Sequence, residues 1–184
     1  DYRGPKYAWS PMPDQFTLLR FQELALSADS RPVFAEVAMT SSHSPFSVRP
    51  PFHSGEWTRE ALDRTLATVD PRRIPRGWDN LTAENYRLAV TYSLRSVVQF
   101  LTRHYTRPGT LVILGDHQAT KAVHDVDSKA LGHIWDAPIH ILTRDPDIHA
   151  ALIANGFAAG MNPGADTPSL PMEALKAFFL TLFH

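Results

Sequence analysis

The stretch TLVILGDHQ, Thr110 to Gln118, decides how this chain reads. Thr110 to Leu114 is a short, largely apolar run without polar alternation, the pattern of a strand covered on both faces at the centre of a sheet. Gly115 ends the run. Asp116 and His117 follow at the strand's expected carboxyl end, where open α/β sheets gather their ligands. Toward the N-terminus, Thr82 to Tyr105 is the strongest helix signal: Tyr86, Val90, Leu94, Val97, Leu101 and Tyr105 make one stripe, and Glu84 suits the first turn. Toward the C-terminus, PIHIL (Pro138 to Leu142) reads as a second short strand. Asp145 and Pro146 then supply an N-cap and a first helical residue, and Gly156 closes that helix. Pro171 opens a last helix, with Met172, Leu175, Phe179 and Leu182 as its buried stripe.

The N-terminal part fits the same plan. Pro13 opens a helix with Phe16, Leu18, Phe21 and Leu24 on its apolar side, ending near Ser27 to Ser30. PVFAEVAMT (Pro32 to Thr40) reads as a strand, and Thr58 to Val69 as a shorter helix built on Leu62, Leu66 and Val69. Helices alternating with short buried strands predict an α/β fold, a layered and mostly parallel sheet with helices on both faces, in a single domain spanning 1–184.

Composition narrows the functional classes. The 184 residues suit one domain with a sizeable core. Eighteen basic and 19 acidic side chains leave a net charge of −1, and Lys and Arg are scattered, so the electrostatic footprint of a nucleic-acid binder is missing. There is no cysteine, hence no disulfide, thiolate metal site or cysteine nucleophile. No apolar run approaches the ~20 residues of a spanning helix. The chain opens on Asp1 rather than Met, which suggests a processed chain or a piece of something longer.

Asp116 and His117 are the sharpest chemical feature. Adjacent side chains in a strand point to opposite faces, so the two converge on one ion only if the strand ends at them, a break that Gly115 permits. A carboxylate and an imidazole together suit Mn²⁺, Zn²⁺ or Mg²⁺; the plainer alternative is a hydrogen-bonded Asp-His turn. His43, in Ser41-Ser42-His43-Ser44-Pro45-Phe46, also follows a predicted strand. It could bind an anionic oxygen or protonate a leaving group, the alternative being a turn histidine. Ser41, Ser42 and Ser44 lack a nucleophile elbow around them. His140 reads as a core histidine, Lys121 and His124 as residues of a loop beyond His117, and the four tryptophans as buried surface, with Trp57 able to line a pocket.

Taken together, the strand before SSHSPF, the long helix, the strand ending in LGDHQ and the segment PIHILTRDP (Pro138 to Pro146) resemble the second half of the catalytic domain in the sulfatase branch of the alkaline phosphatase superfamily. The likeness is to membrane-anchored bacterial sulfatase-like proteins, in the broad group of lipoteichoic acid synthases and phosphoethanolamine transferases. It spans nearly the whole chain, most strongly Trp9 to Phe46 and Tyr86 to Phe183. The resemblance implies that Asp116 and His117 bind the catalytic divalent metal and that His43 contacts the substrate's phosphate or sulfate. It implies a metal-dependent hydrolase or transferase of phosphate or sulfate esters, possible lipid- or glycan-linked substrates, and a membrane-anchored parent facing the extracytoplasmic side.

Three departures accompany the likeness. Ala119 stands where relatives often carry proline, Glu56 to Asp79 has no counterpart, and neither C-x-P-x-R nor S-x-P-x-R is present, since Phe34 follows Ser30-Arg31-Pro32-Val33. With the family's nucleophile and one acidic ligand expected on an upstream half, this stretch alone is expected to be inactive. It is also expected to self-associate through an exposed sheet edge. The competing class is a non-catalytic extracytoplasmic binding or structural domain that keeps the fold.

Overall fold

The computed structural model describes residues 2–7, 10–26, 31–46, 48–74, 81–103, 105, 108–120, 123, 136–162, 164 and 167–183. The chain divides into two compact units, Asp1–Thr106 and Arg107–His184.

The first unit is helical. Pro13, extended at φ −60° and ψ 145°, stands just before α1 (Asp14–Phe21), which runs on into a single wide π turn, Gln22–Leu26. Thr58 caps α2 (Arg59–Leu66) by accepting the Ala61 N–H, and Glu60 adds negative charge to its first turn. A short 3-10 turn, Pro71–Arg73, precedes the long α3 (Ala83–Arg103). The core joins all three helices: Phe16, Leu18 and Leu19 of α1, Leu62 of α2 and Phe100 of α3 close around Trp57. Trp57 is therefore a core residue, as the sequence suggests for its tryptophans; Trp9, Trp78 and Trp135 lie outside the described residues.

α3 buries a different face from the one its large apolar residues predict. Ala89, Tyr92, Ser93, Ser96, Gln99 and Phe100 are inside, while Leu94 is 41% exposed and Tyr86, Val90, Val97 and Leu101 are half-buried. The reason is polar. Ser93 and Gln99 bond Asp14 and Gln15 in the first turn of α1, and the small Ala89 and Ser96 complete the buried line.

Among its described residues the second unit is a strand pair with two helices. β1 (Leu111–Leu114) pairs antiparallel with β2 (Ile139–Leu142), Leu111 opposite Leu142 and Leu114 opposite Ile139, and the Gly115 N–H donates to the Pro138 carbonyl at 3.0 Å. Asp145 caps α4 (Pro146–Ala154) through the N–H groups of Asp147 and Ile148, with Pro146 in the first turn, and Gly156 at φ +87° closes it, all at their expected places. α5 (Ala174–Leu182) begins three residues past Pro171 and leaves every residue at least partly exposed, so its expected buried stripe is not buried. Phe157, just past α4, stacks on Phe178 of α5 with centroids 5.2 Å apart.

These observations correct the expected fold. Among the described residues the strands form one two-stranded antiparallel sheet, not a layered, mostly parallel one with helices on both faces. A short apolar run shows that a strand can be buried but carries nothing about the direction in which its partner runs, and the 24 residues from Gly115 to Pro138 allow a return as readily as a crossover. Pro32 to Thr40 is not a strand either. Val33 and Phe34 stand in solvent, Phe34 completely, while Val37 and Met39 pack on the helical core. The backbone N–H of Thr40 bonds a side chain, Asp14, rather than a neighbouring strand.

Candidate functional site

Asp116 and His117 sit where β1 leaves the ladder. Gly115 makes the last backbone bond to the partner strand, and a Cβ there would meet only ordinary contacts at 3.5 Å or more. Gly115 is thus not required by crowding at this point. Beyond it, Asp116 and His117 project together into solvent, with side chains 92% and 65% exposed and the Asp116 Oδ1 to His117 Nε2 distance 3.9 Å.

One contact fixes the histidine's usable atom. His117 Nδ1 lies 2.7 Å from the Gln118 carbonyl oxygen, which can only accept, so Nδ1 carries the proton. In the neutral ring the lone pair is then on Nε2, the atom facing Asp116. A backbone carbonyl orienting a histidine in this way is the usual outer support of a metal-binding imidazole. Two donors on one tetrahedral ion at ~2.0–2.2 Å lie roughly 3.4 Å apart. The pair needs to close by only a few tenths of an ångström, and both side chains have room to do so.

Beside the pair is a shallow apolar cleft of about 40 Å³, bounded by Leu114 and Gly115 of β1, Pro138 and Ile139 of β2, and Met172 and Leu175 near α5. Among the described residues no group of three His, Asp or Glu is close enough to hold an ion. Asp116 and His117 are one oxygen donor and one nitrogen donor on an exposed turn, and the described residues add no third.

His43 belongs to the first unit, on a turn closed by its own N–H to the Thr40 carbonyl at 3.2 Å. It repeats the local device of His117: Nδ1 donates to the next residue's carbonyl, Ser44, at 2.6 Å, and the side chain is exposed. His140 is half-buried in β2, opposite Ile113. Lys121 and His124 lie outside the described residues.

The residue the sequence did not flag is Asp14. It is fully buried; its Oδ1 accepts the N–H groups of Thr40 and Ser41, each at 3.0 Å, and its Oδ2 accepts the Ser93 hydroxyl at 2.6 Å. Its own N–H donates to Ser41 Oγ at 3.1 Å, so Ser41 helps to hold the start of α1. Asp14 is thus the anchor of the turn that presents His43. Burial, helped by the same negative charge, pushes the Tyr92 phenol far above its ordinary range, and burial alone pushes Tyr7 up to about 12. In sequence, an acid after Pro13 at a helix start reads as an exposed partner of the helix dipole, and only Ser93, 79 residues away, reveals it as interior.

No protein-family model, no curated protein and no solved structure matches this chain.

Proposed function

We propose that the chain is the C-terminal part of a metal-dependent hydrolase or transferase acting on phosphate or sulfate esters, of the sulfatase-like kind. In this reading Asp116 and His117 are ligands of a divalent ion, Mn²⁺, Zn²⁺ or Mg²⁺, and His43 meets the anionic group of the substrate. The observation that supports it is the carbonyl-oriented His117, with Nε2 turned to Asp116 Oδ1 at 3.9 Å on an exposed turn. When bound, the ion would polarise the ester and offset charge on the transferring group. The chain's own residues would hold the ion and fix the imidazole tautomer, and the Nδ1 of His43 is tied to the Ser44 carbonyl.

The nucleophile and the remaining ligands are assigned to an upstream part of a membrane-anchored, extracytoplasmic parent, so this stretch alone turns over no ester. A lipid- or glycan-linked ester is the substrate class that such a parent meets. The second reading, a non-catalytic extracytoplasmic binding domain, is favoured by the lack of a third ligand among the described residues. Calorimetry with Mn²⁺ and Zn²⁺ separates the two, run on this chain, on a longer chain carrying the upstream half, and on Asp116→Ala and His117→Ala of each. Tight binding in the longer chain that both substitutions abolish supports the enzyme. Binding in neither leaves the recognition domain.

A further inference from the structure

We propose that Asn155 and Gly156, at the end of α4, are a self-modification site that loses ammonia to become aspartate or isoaspartate, at a rate set by opening of the helix cap. The inference does not depend on the metal reading. Asn followed by Gly is the pair best suited to this chemistry, because glycine has no side chain to shield its nitrogen. The Gly156 nitrogen attacks Asn155 Cγ and gives up its proton; the Cγ–Nδ2 bond breaks, and the side-chain nitrogen leaves as ammonia. Water then opens the five-membered imide. Addition at Cγ yields aspartate, and addition at the main-chain carbonyl carbon yields isoaspartate, whose backbone runs through Cβ and Cγ.

In the folded chain every group that must move is tied. The Gly156 N–H donates to the Ile153 carbonyl and the Phe157 N–H to the Leu152 carbonyl, both at 3.1 Å, which is the paired bonding of a Schellman cap. Asn155 Nδ2 donates to the Ala151 carbonyl at 2.8 Å. Attack also requires rotation about the Asn155 Cα–C bond, away from its ψ of 17°. The cap must therefore open before the reaction can start, and because both residues are exposed, solvent reaches them as soon as it does.

The product cannot rebuild the same cap. Aspartate removes the donor to Ala151 and places a carboxylate at the negative end of the helix dipole. Isoaspartate adds a backbone atom, so the two Schellman bonds no longer close together. Each change loosens the chain that sets Phe157 against Phe178.

The test incubates the full chain beside a synthetic peptide covering residues 150–160 in mildly alkaline buffer, followed by peptide mapping with mass spectrometry. The peptide should convert at Asn155, and the folded chain at the same residue at least roughly tenfold more slowly, as expected for a reaction gated by local opening. Denaturant should bring the two rates together. Equal rates in folded chain and peptide, or no conversion in the peptide, would overturn the proposal. An Asn155→Asp chain, which carries the product, should be cut faster by chymotrypsin after Phe157; unchanged digestion overturns the claimed effect on the stack.

Discussion

Two histidine turns share one device and differ in what stands behind them. His43 and His117 each donate Nδ1–H to the carbonyl of the following residue, and each side chain is exposed. Behind His43 lies a buried carboxylate bonded to two backbone amides and a hydroxyl on another helix. Behind His117 lies a four-residue strand in a two-stranded ladder, in a unit where Val123 and Leu152 are the buried apolar residues among those described. The first turn is held by the fold; the second is held mostly by itself. Under the proposed function, the first arrangement would hold a substrate-facing side chain in one pose, and the second would let two donors close on an ion.

The largest test of that difference is Asp14→Ala. It leaves the Thr40 and Ser41 amides and the Ser93 hydroxyl without their acceptor inside the protein, at a cost of about 3–5 kcal/mol, read as a lowered denaturant midpoint of the first unit. A midpoint unchanged by this substitution would end the comparison. Next comes Gln99→Leu, which removes one of two acceptors of Gln15 Nε2 and one of two donors to the Gly55 carbonyl; a loss of about 1–3 kcal/mol is expected from the same measurement.

Alkali probes the interior from another side. The Tyr7 phenol is 10.0 in the unfolded chain and about 12 in the folded one, so its contribution to stability is full below about 10 and is lost as pH rises through about 12. Tyr2 and Tyr92 are raised in the same direction, chiefly by burial. Phenolate absorbance should therefore appear together with unfolding of the first unit in that window. A smooth titration with the fold intact would show these phenols to be open to water. The smallest effect is expected at the exposed pair: Asp116→Ala and His117→Ala should each change stability by no more than about 0.5 kcal/mol while removing any Mn²⁺ or Zn²⁺ binding. A large stability loss there would mean the turn is a structural one. The outer edges of β1 and β2, which pair with no further strand among the described residues, make self-association the last comparison. A sedimentation shift with concentration that Ile141→Lys abolishes supports pairing through that edge, and its persistence argues for another surface.

What could be read in advance was mostly local. Thr58, Asp145 and Gly156 mark helix ends because capping depends on a few neighbouring residues, and the structure places them as the pattern predicts. β1 and β2 stand where their apolar runs put them, and Asp116 and His117 come just past the end of β1, although nothing at Gly115 demands a glycine. What could not be read depends on partners far along the chain. Strand direction is a property of two segments, not of one. The buried face of α3 follows polar bonds to Asp14 and Gln15 across 79 and 84 residues, which outweigh a stripe of larger apolar side chains. Pro32 to Thr40 has a strand's composition, yet its C-terminal end is claimed by Asp14 before any neighbouring strand could pair with it.

The first turn of α1 has a consequence for exchange with solvent deuterium. Asp14 takes the amides of Thr40 and Ser41, and Gln15 Oε1 takes that of His53 at 2.9 Å, so three amides outside any helix or strand depend on two side chains of a packed helix. The same two side chains are themselves bonded to Ser93 and Gln99 of α3, which fixes the acceptors in place. The three amide protons should exchange as slowly as those in the middle of α3, so that three irregular positions would mark the global unfolding of the unit as faithfully as its longest helix.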